Sequence, residues 1–259
     1  MKFVVSDLDG TLLQPDHLPS EYAKKAITKL IDKGINFVIA TGRGKLGVQE
    51  ILKKLDTDIF LICNNGANIY NKEGKLIYED LIPPKIAADI LQTIKDNNHF
   101  YSGFRENYYY RDKDDTRDHS TRTLFTEVIL DTPKDCPELN KIIVVDEDTD
   151  IILKINKVLR EKFASQVEIT LSQPTCIDIS PKGCSKGAAL RHLAEIFNLN
   201  LDEFMAFGDG ENDLDMLRTA GHPVIMANSQ EIIKKEFHNM TLSNIDDGVA
   251  KYIEKYFNL

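Results

Sequence analysis

The chain has 259 residues, 42% of them hydrophobic and 28% charged, with a formal net charge of −9. That length accommodates one large domain or two modest ones, each able to bury a core. An acidic chain without a Lys/Arg block argues against a nucleic-acid partner, and no apolar run reaches the ~18 residues of a membrane span. The opening MKFVVSDLDG turns acidic by position 7, which does not fit a signal peptide. The four cysteines are scattered without CxxC spacing and are expected to be reduced thiols in a cytoplasmic protein. The six histidines show no HxH or HExxH grouping, which argues against a histidine-built metal site.

Along the chain, Phe3 to Ser6 reads as a first strand. Tyr22 to Lys33 carries Ala23, Ala26, Ile27, Leu30 and Ile31 at helical spacing, with Ser20 as N-cap and Gly34 as stop. Ile35 to Ala40 reads as a strand, Leu46 to Leu55 as a helix and Ile59 to Cys63 as a third strand. Near-continuous apolar strands separated by amphipathic helices predict an α/β domain whose parallel sheet is covered on both faces. A hairpin follows, with strands at Asn68–Tyr70 and Lys75–Tyr78 around an Asn71–Gly74 turn.

Pro83-Pro84 reads as a breaker. Beyond it come a helix at Ile86–Lys95, one alternating strand at Tyr101–Tyr110, a strand at Lys141–Val145 and a helix at Ile151–Phe163. Strands at Glu168–Leu171 and Cys176–Ile179 complete this middle third. It reads as α+β with an antiparallel sheet, with Arg111 to Arg117 as a solvated charged loop; Tyr108-Tyr109-Tyr110 is open to reading as a sugar-stacking platform or, since aromatics favour strands, as alternating sheet residues. From Pro181 the helix–strand alternation resumes. Ala188–Phe197 is a helix capped by Ser185, Phe204–Phe207 a strand, Leu214–Thr219 a helix and Val224–Met226 a strand; Ile232–Phe237 and Val249–Phe257 are helices. The expected organisation is a discontinuous domain, 1–82 with 183–259, interrupted by an inserted domain at 83–182.

On a strand, residues i and i+2 share a side, so Asp7 and Asp9 can converge while Leu8 faces away. Two carboxylates at the end of a buried strand are costly without positive charge, and a hard divalent cation with oxygen ligands would supply it. Parallel α/β sheets place ligands at the carboxyl ends of their strands. Four segments fall at such positions: Asp7-Leu8-Asp9-Gly10-Thr11, Thr41-Gly42-Arg43, the helix start Gly183-Cys184-Ser185-Lys186-Gly187, and Gly208-Asp209-Gly210-Glu211-Asn212-Asp213. Singly, each is also compatible with an ordinary turn, connection or acidic loop. Together and in this order they point to one site.

These motifs, the Cys63-Asn64-Asn65-Gly66-Ala67 turn and Gly183-x-x-Lys186-Gly187-x-Ala189-Leu190 make the chain resemble the haloacid dehalogenase superfamily. The resemblance is to its Cof-type branch, which inserts an α+β cap between the second and third motifs. It implies a Rossmann-like parallel-sheet core and a Mg2+-dependent phosphatase of small phosphorylated metabolites, with sugar phosphates the first expectation. Asp7 would be the nucleophile and Asp9 the general acid and base. Mg2+ would be held by the Asp7 and Asp209 side chains and the Asp9 backbone carbonyl. Thr41, Gly42, Lys186, Asn212 and the Leu8 N–H would hold phosphate, and Asp213 would orient metal-bound water or Lys186. Arg43 is left between a substrate contact and a salt bridge. The cap would close over the site and exclude water. The expected partner is a small-molecule phosphate ester, with neither nucleic acid nor membrane. The alternatives are a phosphomutase of the same superfamily and an inactive metal- and phosphate-binding module. The intact Asp7, Asp9, Lys186 and Asp209 speak against the latter.

Overall fold

The structure is a computed structural model and describes residues 1–117 and 123–259. In chain order the principal elements are β1 (Phe3–Ser6), α1 (Glu21–Asp32), β2 (Asn36–Ala40), α2 (Gln49–Leu55), β3 (Phe60–Cys63), β4 (Asn68–Tyr70), β5 (Leu76–Glu79), α3 (Pro84–Asp96), β6 (Ser102–Arg105), β7 (Tyr108–Asp112), β8 (Thr126–Leu130), β9 (Lys141–Val145), α4 (Thr149–Phe163), β10 (Val167–Gln173), β11 (Cys176–Pro181), α5 (Lys186–Phe197), β12 (Phe204–Gly208), α6 (Leu214–Thr219), β13 (His222–Ile225), α7 (Glu231–Glu236) and α8 (Gly248–Phe257). The chain divides into two compact units, Met1–Glu79 with Ser185–Leu259, and Asp80–Cys184.

The first unit is built on a seven-stranded sheet in the order β13-β12-β1-β2-β3-β4-β5. The five strands from β13 to β3 run parallel, and the β4–β5 hairpin adds two antiparallel strands at one edge. Strand alternation sends successive residues to opposite cores. Val4, Phe37, Ile39 and Leu61 pack with Ala26, Ile27 and Leu30 of α1 and with Val249 and Ile253 of α8. Phe3, Val5, Val38 and Ile62 pack on the other face with Leu190 and Leu193 of α5 and Leu217 of α6. Burial on both faces explains why these strands read as unbroken apolar runs.

Two helix starts follow the sequence reading. The Ser20 hydroxyl accepts the Ala23 N–H, and the Ser185 hydroxyl accepts the Ala188 N–H, both at 2.9 Å. Each satisfies an amide that the first helical turn leaves unpaired. Strand order reverses between β1 and β12. Successive strands step from β1 through β2 to β3 on one side and from β12 to β13 on the other. The carboxyl ends of β1 and β12 therefore border the crevice in which ligands of such sheets sit.

The second unit holds a six-stranded sheet in the order β10-β11-β9-β6-β7-β8. Its pairings are antiparallel except for β7 with β8. Helices α3 and α4 share one core with it through Ile90, Ile94, Ile152 and Leu159.

Four expectations change here. The single strand over Tyr101–Tyr110 is a hairpin, broken where Glu106 takes a left-handed φ of 48°. β8 was not foreseen; it is an edge strand with Glu127 and Ile129 exposed and only Leu130 buried, so its burial pattern is faint. Pro84 does not break structure but opens α3, where its missing N–H costs nothing. The charged run at 111–117 is not simply solvated. Arg111 and Asp112 belong to β7, and Asp112 and Asp115 are buried in ion pairs with Lys95 and Arg117. The tyrosine run does alternate, with Tyr109 buried and Tyr108 exposed.

Gly66, after β3, has a φ of +107°, and a Cβ there would lie 2.2 Å from the backbone oxygen of Ser185. Gly66→Ala should therefore destabilise the first unit by about 2–4 kcal/mol, from left-handed strain plus the backbone clash. A urea midpoint equal to wild type would contradict this packing.

Candidate active site

The parallel pairing of β1 with β12 brings the next residues of both strands together. Asp7 N–H donates to the Phe207 carbonyl at 3.0 Å, continuing the ladder past Ser6. Asp7 is buried, and Leu8 turns its side chain into the core, leaving its backbone at the site. Gly10 then takes a φ of +82°, and a Cβ there would fall 2.3 Å from an Asp209 carboxylate oxygen. Only glycine lets the first loop approach the Asp209 loop so closely.

Lys186, at the first position of α5, is fully buried. Its Nζ donates to Asp7 Oδ1 at 2.6 Å and to Asp213 Oδ1 at 2.7 Å. The other Asp213 oxygen accepts the N–H groups of Asp209 and Gly210, both at 3.0 Å. Asp213 thus fixes both the lysine and the backbone of the Asp209 loop. Thr11 donates its hydroxyl to Asp209 Oδ1 at 2.7 Å. Carboxylate oxygens of Asp7, Asp209 and Asp213 lie within 4.8 Å of one another. With both Asp213 oxygens already bonded, the donors left for a cation are Asp7 and Asp209. Their all-oxygen chemistry fits a hard divalent ion.

Electrostatics support that fit. Burial, then the neighbouring Asp213, push the Asp7 carboxyl well above the usual carboxylate range despite Lys186. Burial also pushes Asp209 up to about 6, with the Thr11 hydroxyl pulling the other way. Burial works against the Lys186 charge, but Asp213 and Asp7 outweigh it and raise its pKa. One lysine serves three acidic groups, so the cluster is short of positive charge.

Asp9 sits differently. It is half exposed, and the Arg43 guanidinium forks onto its two oxygens at 3.0 and 2.5 Å. The sequence left Arg43 between two roles, and in this structure it pairs with Asp9. Thr41 is buried at the end of β2, and its hydroxyl accepts the Arg43 N–H at 3.1 Å. Gly42 lies between them. Asn212 is exposed on the Asp209 loop, with its side-chain oxygen against Gly210. The structure thus gathers the four motifs around the carboxyl ends of β1, β2 and β12.

Sequence reading assigned no role to Thr11, which holds Asp209, or to Asn228, whose amide donates to the Gly10 carbonyl at 2.7 Å. Asn228 follows β13 at the same sheet edge; its position after a strand end was the available signal.

A buried cation between two carboxylates, a second acid on the same loop and a glycine-bearing loop at a sheet switch point together suit an enzyme that handles a charged small molecule. Comparison with known proteins specifies which kind. The sequence model of the haloacid dehalogenase-like hydrolases matches residues 4–253, and the chain belongs to that family. Its relatives include the 5-amino-6-(5-phospho-D-ribitylamino)uracil phosphatase of Bacillus subtilis, 34% identical over 99% of this chain and 96% of the other. The HMP-PP phosphatase of Cronobacter sakazakii is 31% identical over 90% of this chain and 87% of its own. A haloacid dehalogenase-like hydrolase from Bacteroides thetaiotaomicron shares the fold at a TM-score of 0.87 and 26% identity, over 99% of both chains. A Thermotoga maritima structure does so at 0.85 and 32%, over 98% of this chain and 97% of that one. The protein is accordingly a phosphoric monoester hydrolase of the Cof-type branch. Among the described residues, no helix is long and apolar enough to cross a membrane.

Two measurements check this geometry. Asp213→Ala strips Lys186 of one carboxylate and two N–H groups of their acceptor; it should cost about 3 kcal/mol of stability, and an unchanged unfolding midpoint would contradict the arrangement. Asp209 holds its proton more tightly folded than unfolded. Its contribution is therefore full below about pH 4 and lost as pH rises through the folded value of about 6. Metal-free Asp209→Asn should gain stability on wild type between about pH 4 and pH 7; parallel pH profiles would refute the shift.

Proposed function

We propose that this chain is a Mg2+-dependent phosphatase of small phosphorylated metabolites, sugar phosphates foremost, working through an aspartyl-phosphate on Asp7. The observation that carries this reading is the fully buried Lys186 joining Asp7 to Asp213, with Asp9 on the same loop but half exposed. One carboxylate is held still in a dry site, and the other is left accessible for proton transfer. The substrate class is supported by the Bacillus subtilis relative, whose name gives it a phosphate ester on a ribityl chain. The Cronobacter relative is named for a different phosphate compound, so related chains serve unlike leaving groups.

Mg2+ would be held by the Asp7 and Asp209 carboxylates and the Asp9 backbone carbonyl, and when bound it supplies positive charge against the phosphoryl oxygens. Lys186 orients the Asp7 carboxylate and lowers its repulsion from an incoming phosphate dianion. Thr41 accepts the Arg43 N–H, which leaves its own hydroxyl proton to donate to a phosphoryl oxygen. The N–H groups of Leu8 and Gly42 and the Asn212 amide supply further donors.

Asp7 attacks phosphorus; the bond from phosphorus to the ester oxygen breaks, and Asp9 gives its proton to that oxygen. Asp9, now ionised, takes a proton from the water that attacks the aspartyl-phosphate, releasing inorganic phosphate and restoring Asp7. The Arg43 fork engages both Asp9 oxygens, so proton delivery to the leaving oxygen requires it to open, and an arriving phosphate dianion offers Arg43 another partner.

Purified protein with Mg2+ should hydrolyse sugar phosphates and an aryl phosphate, and Asp7→Asn should lose at least about 10³-fold in kcat while staying folded. An inactive wild type across such a panel sinks the reading. Asp9→Asn should lose roughly 10²–10⁴-fold on alkyl phosphates and distinctly less on an aryl phosphate whose leaving group needs no proton. Equal losses on both would remove Asp9 from the acid role.

A further inference from the structure

The turn after β3 does more than reverse the chain. Asn64, Asn65 and Gly66 take positive φ in succession, at 52°, 54° and 107°. Asparagine tolerates this region better than most residues, but two in a row before a glycine is a constrained arrangement. The turn grips the neighbouring loop at two points. Asn65 N–H donates to the Thr41 carbonyl and Asn64 N–H to the Arg43 carbonyl, each at 3.0 Å, so Gly42 is held between two clamped residues. On its other side Gly66 packs against the backbone of Ser185, which caps the helix that begins with Lys186.

The two asparagine side chains then part. Asn64 donates to Asn68 Oδ1 at 2.7 Å, and Asn68 donates on to Glu79 at 3.2 Å, a chain of structural contacts along the hairpin. The Asn65 amide makes no such link. It lies against Gly42, so close that a Cβ there would be 3.0 Å from Asn65 Oδ1 and 3.4 Å from Nδ2. Asn65 Oδ1 is sealed from solvent and accepts no hydrogen bond. Among the described residues of its unit it is the one buried side-chain polar atom in that condition, since the other two, on His99 and Tyr101, belong to Asp80–Cys184. A buried amide oxygen without a partner costs about 1–3 kcal/mol and calls for an explanation.

We propose that Asn65 is a phosphoryl-contacting residue, its amide NH2 donating to the phosphoryl oxygen that Thr41 and Gly42 receive. This rests on the phosphatase reading above. A half-turn of the amide exchanges oxygen for NH2 with almost no change of shape. The exchanged form presents a donor, which an anion beside Gly42 satisfies. The left-handed backbone and the two clamps hold the amide in place before substrate arrives, and such preorganisation strengthens electrostatic binding.

The test compares wild type, Asn65→Gly and Asn65→Asp. Glycine keeps the positive φ and deletes the amide; aspartate keeps the shape but cannot donate and adds repulsion. The inhibition constant of inorganic phosphate is read against aryl phosphate hydrolysis, alongside KM and the thermal midpoint. At a wild-type midpoint, Asn65→Gly should raise both constants roughly 10- to 100-fold, and Asn65→Asp should raise them further. Constants within about twofold of an active wild type, or equal losses in both variants that track a lowered midpoint, overturn the assignment alone. A wild type without turnover on any ester overturns the phosphatase reading itself.

Discussion

The site depends on one arrangement: a lysine with no access to water, held between Asp7 and Asp213. A lone buried ammonium would cost several kcal/mol, and losing either carboxylate would leave part of that cost unmet. The demand reaches far into the fold. Lys186 and Asp7 are 179 residues apart in sequence and meet only because β1 and β12 are neighbours and α5 starts above them. The Ser185 cap sets where that helix begins, and the missing side chain of Gly66 lets the turn after β3 come up against it. Asp213 carries the constraint onward, since the oxygen not bonded to lysine fixes the Asp209 loop.

From that arrangement follows a division between two aspartates only two residues apart. Asp7 is buried, fixed by lysine and short of positive charge. Asp9 is half exposed and held by a guanidinium that can find other partners. A nucleophile benefits from immobility in a dry site, whereas a group that exchanges protons must reach leaving group and water in turn. Strand alternation alone does not produce this contrast. It comes from Leu8 anchoring in the core and from Gly10, whose positive φ turns the chain against Asp209.

Much of this was legible in the sequence. The parallel strands announced themselves because burial on both faces makes them nearly continuous runs of Val, Ile, Phe and Leu. Ser20 and Ser185 marked their helices because capping is a local matter. What escaped was long-range or weakly patterned. β8 exposes Thr126, Glu127 and Ile129 and buries only Leu130, and the break at Glu106 lies within a run rich in aromatics that suggests one strand. The burial of Asp112 and Asp115 depends on Lys95 and Arg117, and nothing in a charged run distinguishes a solvated acid from a paired one. Asn228 acts on Gly10 across 218 residues, which no local pattern records. The partner of Arg43 was likewise undecided until the loops were placed side by side.

The central claim is that Asp7 bonds to phosphorus, and the stereochemical course at phosphorus tests it most directly. A substrate whose phosphoryl group is made chiral with oxygen isotopes should, with an acceptor alcohol in place of water, yield that alcohol's phosphate ester with retained configuration, because two in-line displacements each invert the centre. Inversion would mean that the acceptor attacks the ester directly, and the role given to Asp7 would be wrong.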